Sequence, residues 1–397
     1  MTSQVAVVNL NGIAVASDTL LTITSGESTK VIGGKSKIYT PGSPHKFVIL
    51  HSGSNHISGV PIHLHLHSWF QSLAHPLPTL SSYVDSYRAW TLSENRLVSQ
   101  ESEERLMREM VAGNLQVLQE EIWRQQFQFS APELTERKIQ TAKKKLASAE
   151  IESYFSSLSE QPLYPGISDN HAKKLLQNLK LSTEDDILPY LYGIELTQDS
   201  VDEIVGNLHL VLSRVLEFPG DAELVFAGFG ENEAFAHWTS IITRGVYGGS
   251  LQASINHVGA VDPLENIPSN VIPLAQANSI FGFFRGQDKL MRRKYSLLVE
   301  DKIHSKWGDS SGEKIGQDIA REIDEEIGDY SDEEFVFPFL RNISVLNPIS
   351  MGELAEFLVG LQAMTSYKEV GPATVGGFIE VATIDLIDGV VFRKSLP

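Results

Sequence analysis

Cysteine is absent from all 397 residues, so disulfides, thiolate zinc sites and cysteine nucleophiles are excluded at once. Basic residues are scarce: 32 Lys and Arg stand against 50 Asp and Glu, a formal net charge of −18. A nucleic-acid or anionic-membrane partner would want a basic face, which leaves proteins, peptides and small molecules as the expected partners. No run approaches the roughly 18–20 apolar residues of a membrane helix. No Lys or Arg precedes the interrupted apolar stretch at the N-terminus, as a secretory leader would need. The expectation is a soluble, cytoplasmic chain. Its 42% hydrophobic and 21% charged residues are those of a folded protein, not a disordered one.

The pattern that is present begins with a hairpin. VAVV (5–8) and IAVA (13–16) flank Asn11-Gly12, a strong short-range turn signal between β-rich runs. Short strands are expected around Ser36–Tyr39 and Lys46–Leu50, then a glycine turn and a helix within 53–75. Composition shifts near residue 93. Residues 99–127 and 132–158 are charged and helix-favouring, and Leu106, Met110, Leu115, Leu118, Ile122 and Phe127 fall roughly at helical spacing, one apolar face against a polar one. Ser130-Ala131-Pro132 is the expected turn between these helices. Strands resume at 222–230, 237–245 and 271–277, helices are expected over about 279–328 and 352–364, and two β-runs about an Asp-Gly turn close the chain (374–394). Strands at both ends with helices grouped between them suggest an α+β protein built as a layered αββα sandwich. Its core would comprise 1–92 and 201–397, with 93–200 a large helical insertion.

The N-terminus resembles the proteasome β-subunit and the bacterial proteasome-like peptidases, which are N-terminal-nucleophile (Ntn) threonine hydrolases. Thr2 directly follows the initiator Met, and Asp18 stands sixteen residues on within AVASDT (14–19). SKIYTP (36–41) resembles the family's Lys before a strand, pointing to Lys37, with Lys35 in GGKSK as its rival. HSGSN (51–55) resembles the small-Gly-small turn, pointing to Gly53. LVFAGFG (224–230) and TVGGFIEVATID (374–385) resemble later family strands. The resemblance implies roles. Thr2 attacks once Met1 is removed, its own α-amine is the base, Lys37 acts electrostatically, Asp18 holds the Lys charged, and the Gly53 amide stabilises the oxyanion. The chemistry is reasonable, because a Thr hydroxyl needs an adjacent base and an α-amine titrates near pH 7.7–8.0. A nearby ammonium lowers that value further.

Two family side chains that hold the amine and hydroxyl have no match. Pro372 and Val375 occupy the places of the Asp and Ser before a Gly-Gly, and GFFRGQD (282–288) lacks the Ser of a Gly-Ser-Gly turn. Ser366 or Thr374 are the available substitutes. The resemblance implies a peptidase acting on protein or peptide substrates within a self-assembled ring or other closed oligomer. Nothing in the chain reads as a nucleotide site, so a separate ATPase would supply any driven unfolding. The rival readings are a catalytically silent scaffold of the same fold and an Ntn amidohydrolase of a small amide.

Seven of the twelve histidines lie between His45 and His75. On a strand His63, His65 and His67 would share a face and could ligate a metal; on a helix only His63 and His67 align. The resemblance puts them on a helix, and no carboxylate cluster accompanies them. A packing role is expected, with no metal and no cofactor. The acidic stretch 318–334 is expected to be a solvated helix face.

Overall fold

The computed structural model describes residues 2–25, 28–93, 99–129, 135–216, 221–287, 289–307, 310–366 and 375–396. Met1, Ser130 to Pro132, Pro372 and Thr374 lie outside the described residues. The fold is mixed α+β with antiparallel sheets.

The chain opens with the expected hairpin, β1 (Ser3–Asn9) and β2 (Gly12–Asp18), paired from Gln4–Ser17 to Asn9–Gly12. A second hairpin, β3 (Leu21–Ser25) and β4 (Ser28–Ile32), precedes β5 (Ile38–Tyr39), β6 (Lys46–Gly53) and the short pair β7 (His56–Ile57) and β8 (Val60–Pro61). Helices α1 (Ile62–Phe70) and α2 (Leu80–Ser93) come next. They are followed by α3 (Gln100–Gln128), α4 (Glu136–Glu160), α5 (Asp169–Asn178), α6 (Glu184–Ile187), α7 (Gln198–Asn207) and α8 (His209–Ser213). Strands β9 (Ala222–Phe229), β10 (His237–Tyr247), β11 (Ser250–Ala260) and β12 (Ser269–Ala275) lead to α9 (Asn278–Arg285), α10 (Lys289–Trp307), α11 (Ser310–Ser331), α12 (Phe337–Ile343) and α13 (Pro348–Ser366). The last strands are β13 (Ile379–Asp385) and β14 (Gly389–Lys394).

Ten strands form two five-stranded sheets, ordered β12-β1-β2-β13-β14 and β11-β10-β9-β6-β5. The period-2 alternation of side chains explains their continuous apolar runs, because both faces of each central strand are covered. Ala6, Val8, Ile13 and Val15 of the first sheet cluster with Val48, Leu50, Val225 and Ala227 of the second. The alternate residues face outward into helices. Val5, Val7, Ala14 and Ala16 pack with Met351, Ala355 and Leu358 of α13, whereas Phe47, Ile49, Leu224 and Phe226 pack with Trp69 of α1 and Tyr83 and Tyr87 of α2. The first turn is tight: a Cβ on Gly12 would come within 2.4 Å of the Ile384 carbonyl oxygen.

Helices α3 to α8 build a separate apolar cluster. It runs beyond residue 200, because Leu208, Leu210, Val211 and Leu212 belong to it, and so does Tyr247 at the end of β10. The β10–β11 turn is stitched to these helices by three hydrogen bonds. The Tyr247 hydroxyl donates to the Leu212 carbonyl (2.9 Å), the Gly248 amide to Glu103 (3.0 Å) and the Ser250 hydroxyl to the Pro165 carbonyl (2.9 Å). No helix among the described residues is long and apolar enough to cross a membrane.

Candidate active site at the start of the first strand

Asp18 ends β2 and is fully buried. Its Oδ1 accepts from the Ser3 amide (3.1 Å) and from Lys37 Nζ (2.8 Å), and its Oδ2 accepts from the Gly376 amide (3.1 Å). Three donors on one carboxylate, one of them an ammonium, are the conditions under which a buried charge is tolerated. The register explains the meeting: β1 and β2 pair at Gln4–Ser17, so the next step outward sets Ser3 beside Asp18. Thr2 immediately precedes that amide, and covalent geometry keeps its Cα within about 6 Å of the Asp18 carboxylate. The Thr2 carbonyl accepts from the Gln276 amide at 2.9 Å, which fixes its backbone against the segment leaving β12.

Of the two lysines, Lys37 makes the contact. Its Nζ also donates to the Leu20 carbonyl (2.7 Å), and the residue is 5% exposed. Burial pulls its pKa below the usual lysine value, while the charge and hydrogen bond of Asp18 oppose that fall. Lys35 is half-buried and bonds the Thr19 carbonyl through its backbone amide.

Gly53 ends β6 with a φ of +79°, and a Cβ there would lie 2.0 Å from the Asp221 carbonyl oxygen. Only glycine fits both conditions. The same carbonyl accepts from the Ser54 amide (3.1 Å). Two hydrogen bonds bring this strand end to the Lys37 side: the His51 amide donates to the Lys37 carbonyl (3.1 Å), and the Gln4 side chain donates through Nε2 to the His51 carbonyl (3.0 Å). The His51 ring is 3% exposed and its Nε2 lies 2.6 Å from the Ser54 carbonyl. A carbonyl only accepts, so Nε2 carries the proton and Nδ1 is a bare acceptor. Burial lowers the His51 pKa to about 4, against the pull of the Ser54 carbonyl and with help from Lys37 and Lys35. His51 Nδ1 and Ser3 Oγ are both buried without a hydrogen-bond partner among the described residues.

The Gly-Gly element also reaches the site. Gly376 closes onto Leu20, whose amide donates to the Gly376 carbonyl (3.3 Å), and the Thr19 hydroxyl donates to the Phe378 carbonyl (2.8 Å). Val375, which precedes it, is fully buried. The Ser366 hydroxyl donates to the Ala363 carbonyl at 2.7 Å and reaches the Val375 carbonyl at 3.4 Å.

The segment set against the Gly-Ser-Gly turn, 282–288, begins inside a helix, because Gly282–Arg285 belong to α9. The strand-to-helix turn is instead Ala275-Gln276-Ala277, where Ala275 carries a φ of +59°. It contains neither Gly nor Pro, so no breaker marked it in the sequence. The histidine segment lies on α1 as expected. His65 is buried, with its Nδ1 3.3 Å from the Tyr87 hydroxyl and its ring edge-on to Trp90, while His63 and His67 are exposed.

Comparison with protein-family models and with curated proteins finds no match for this chain.

Proposed function

We propose that the chain is a proteasome-like N-terminal-nucleophile hydrolase with a four-layer αββα core, and that it cleaves peptide bonds through Thr2 once Met1 is removed. The observation that carries this reading is the buried Lys37–Asp18 pair hydrogen-bonded to the amide directly after Thr2. A solvated surface lysine would need no such arrangement. In the proposed mechanism the freed Thr2 amine accepts the hydroxyl proton as the hydroxyl attacks the scissile carbonyl, then returns it to the leaving amine. Lys37 uses two of its three ammonium protons on Asp18 and Leu20 among the described residues, and the third is the one a developing Thr2 alkoxide would draw on. The Lys37 charge also disfavours a protonated Thr2 amine, which keeps the base neutral. The Gly53 amide would meet the oxyanion, a contribution of about 2.7–4 kcal/mol in comparable sites. The two unpartnered buried atoms, Ser3 Oγ and His51 Nδ1, are additional groups a bound substrate or water could satisfy.

Assembly with copies of itself belongs to the same proposal, supported by the exposed aromatic rings Phe283 and Phe357 on the helices covering the first sheet. A second reading, a silent scaffold, is favoured by one observation: the buried Val375 and the Ala275-Gln276-Ala277 turn stand where the family places amine-holding hydroxyls. Intact mass after exposure to an electrophile that requires an N-terminal amine and its β-hydroxyl separates the two. Loss of Met1 with one adduct is the expected result, with adduct and hydrolysis both abolished in Thr2→Ala. Retained Met1 with no adduct would establish the scaffold, and hydrolysis of simple acyl amides but no peptides would establish an amidohydrolase.

A further inference from the structure

Away from Thr2, a cavity of about 540 Å³ opens where the end of α9 meets α10 and α11. Its polar lining is Arg285, Gln287, Arg292, Arg293, Ser296 and Asp324, with the Phe281 ring as an apolar wall. Three guanidinium groups thus face one carboxylate, in a chain whose formal net charge is −18. That carboxylate is already engaged, since Arg292 pairs with Asp324 through its Nε and with the Asp324 carbonyl through Nη2.

Two further donors of the lining, Arg285 Nε and Gln287 Nε2, are both inaccessible to solvent and have no hydrogen-bond partner among the described residues. A buried unsatisfied donor costs about 1–3 kcal/mol, and neither a guanidinium nor an amide nitrogen can accept, so both call for an acceptor, which a ligand drawing these side chains toward the cavity would supply.

The site is braced by its neighbours. Gly286 ends α9 at a φ of +70°, where a Cβ would meet the Phe335 ring at 3.1 Å, and the Ser331 hydroxyl at the end of α11 donates to the Arg285 carbonyl (2.6 Å). The Arg285 guanidinium carbon lies 5.9 Å from the centre of the Phe281 ring, which restrains the side chain by a cation–π contact.

We propose that this pocket binds a small organic anion, a phosphate monoester or a carboxylate with an apolar body. Planar guanidinium forks match the oxygen geometry of both anions. The volume lies in the range of small-molecule sites and exceeds what an inorganic anion fills. Phe281 supplies a surface for the apolar part. The proposal stands apart from the Thr2 reading, because it uses no residue of that site.

The test is calorimetric titration of the full chain with phenyl phosphate, benzoate and inorganic phosphate at constant ionic strength. Saturable one-site binding of phenyl phosphate or benzoate, weakened at least about tenfold in both Arg285→Gln and Arg293→Gln, is expected. Gln287→Leu, which removes a single unpartnered donor, gives the same reading if an arginine variant fails to fold. Preference for phenyl phosphate would assign a phosphate site, and equal binding of benzoate a general anion site. No saturable binding, equal affinity for inorganic phosphate, or affinity unchanged in the folded variants would overturn the proposal. Thr2→Ala should bind the probes as the wild-type chain does.

Discussion

Asp18→Asn keeps the shape of the side chain at the centre of the candidate site and removes its charge. The magnitude follows from the three donors that converge on it, the Ser3 amide, the Gly376 amide and Lys37 Nζ. An asparagine has one acceptor oxygen, so in either orientation its NH₂ opposes at least one buried donor, at about 1–3 kcal/mol. Lys37, 5% exposed, also loses its counter-charge, and stranding one member of a buried ion pair costs about 3–5 kcal/mol. Urea unfolding should therefore show a loss of about 3–5 kcal/mol for Asp18→Asn, and a similar loss for Lys37→Met, which strands the carboxylate. The double variant should lose well under the sum of the two, with a coupling on the order of 2–3 kcal/mol. The sign with pH can be checked as well. Burial already lowers the Lys37 pKa, and removing Asp18 lowers it further, so between the folded and unfolded values the unfolded chain binds more protons. The Asp18→Asn penalty should then shrink as pH rises toward the unfolded lysine value. Single losses under about 1 kcal/mol that add without coupling would refute the account and place the pair among weak surface contacts.

Gly53→Ala must adopt a left-handed backbone and place its methyl against the Asp221 carbonyl oxygen; a stability loss above about 2 kcal/mol, seen as a lowered urea midpoint, is expected together with loss of any amide hydrolysis. His65 is buried with its pKa lowered to about 4, so the folded state holds it neutral and its stabilising effect is complete above about pH 6.5. As pH falls from 6.5 toward 4 that contribution, up to about 3 kcal/mol, is lost, and His65→Phe should flatten the measured pH profile over this window; parallel profiles for the two proteins would contradict the assignment.

Much of the fold is legible because its signals are local. The VAVV and IAVA runs about Asn11-Gly12 announce both strands, and the registers that follow bring Ser3 to Asp18. The buried face of α3 is largely readable from spacing: Met110, Leu115, Leu118 and Ile122 are buried and Leu106 is half-buried, whereas Phe127 near the helix end is exposed. The elements with no clear sequence signal lack contrast. The outer half of β11 is exposed, and its sequence SLQASINHVGA has neither a clean alternation nor an apolar run. The Ala275-Gln276-Ala277 turn has no breaker, so the strand pattern ran on into it. In the site, sequence spacing left Lys35 and Lys37 as rivals, and the distinction came from a tertiary fact, the reach of Nζ to Asp18. His51 was unreadable as a site neighbour for the same reason: its place depends on bonds to Lys37, Gln4 and Ser54 that no local pattern encodes. No local pattern marks Arg285 and Gln287 either, because their pocket is closed by α10 and α11 from later in the chain.

The boundary at residue 200 has a consequence that can be measured. A chain lacking 95–198 would retain α7 and α8 but lose the α3 and α4 surfaces they pack against. Val201, Ile204, Leu208, Leu210, Val211, Leu212 and Tyr247 are all buried in that cluster. Exposing a buried side chain of this kind costs about 1.5–3 kcal/mol, so seven of them amount to more than about 10 kcal/mol, comparable to the whole stability of a typical domain. The hydrogen bonds from Gly248 to Glu103 and from Ser250 to the Pro165 carbonyl would be lost as well, freeing the β10–β11 turn. Such a chain should bind a hydrophobic dye and unfold without a cooperative transition, although every residue proposed to act with Thr2 is still present. A cooperative melt close to that of the full chain would mean that the helices are an independent appendage. The expected failure would mean that the second sheet, and with it the position of Gly53, depends on the helices docked at the same end of that sheet.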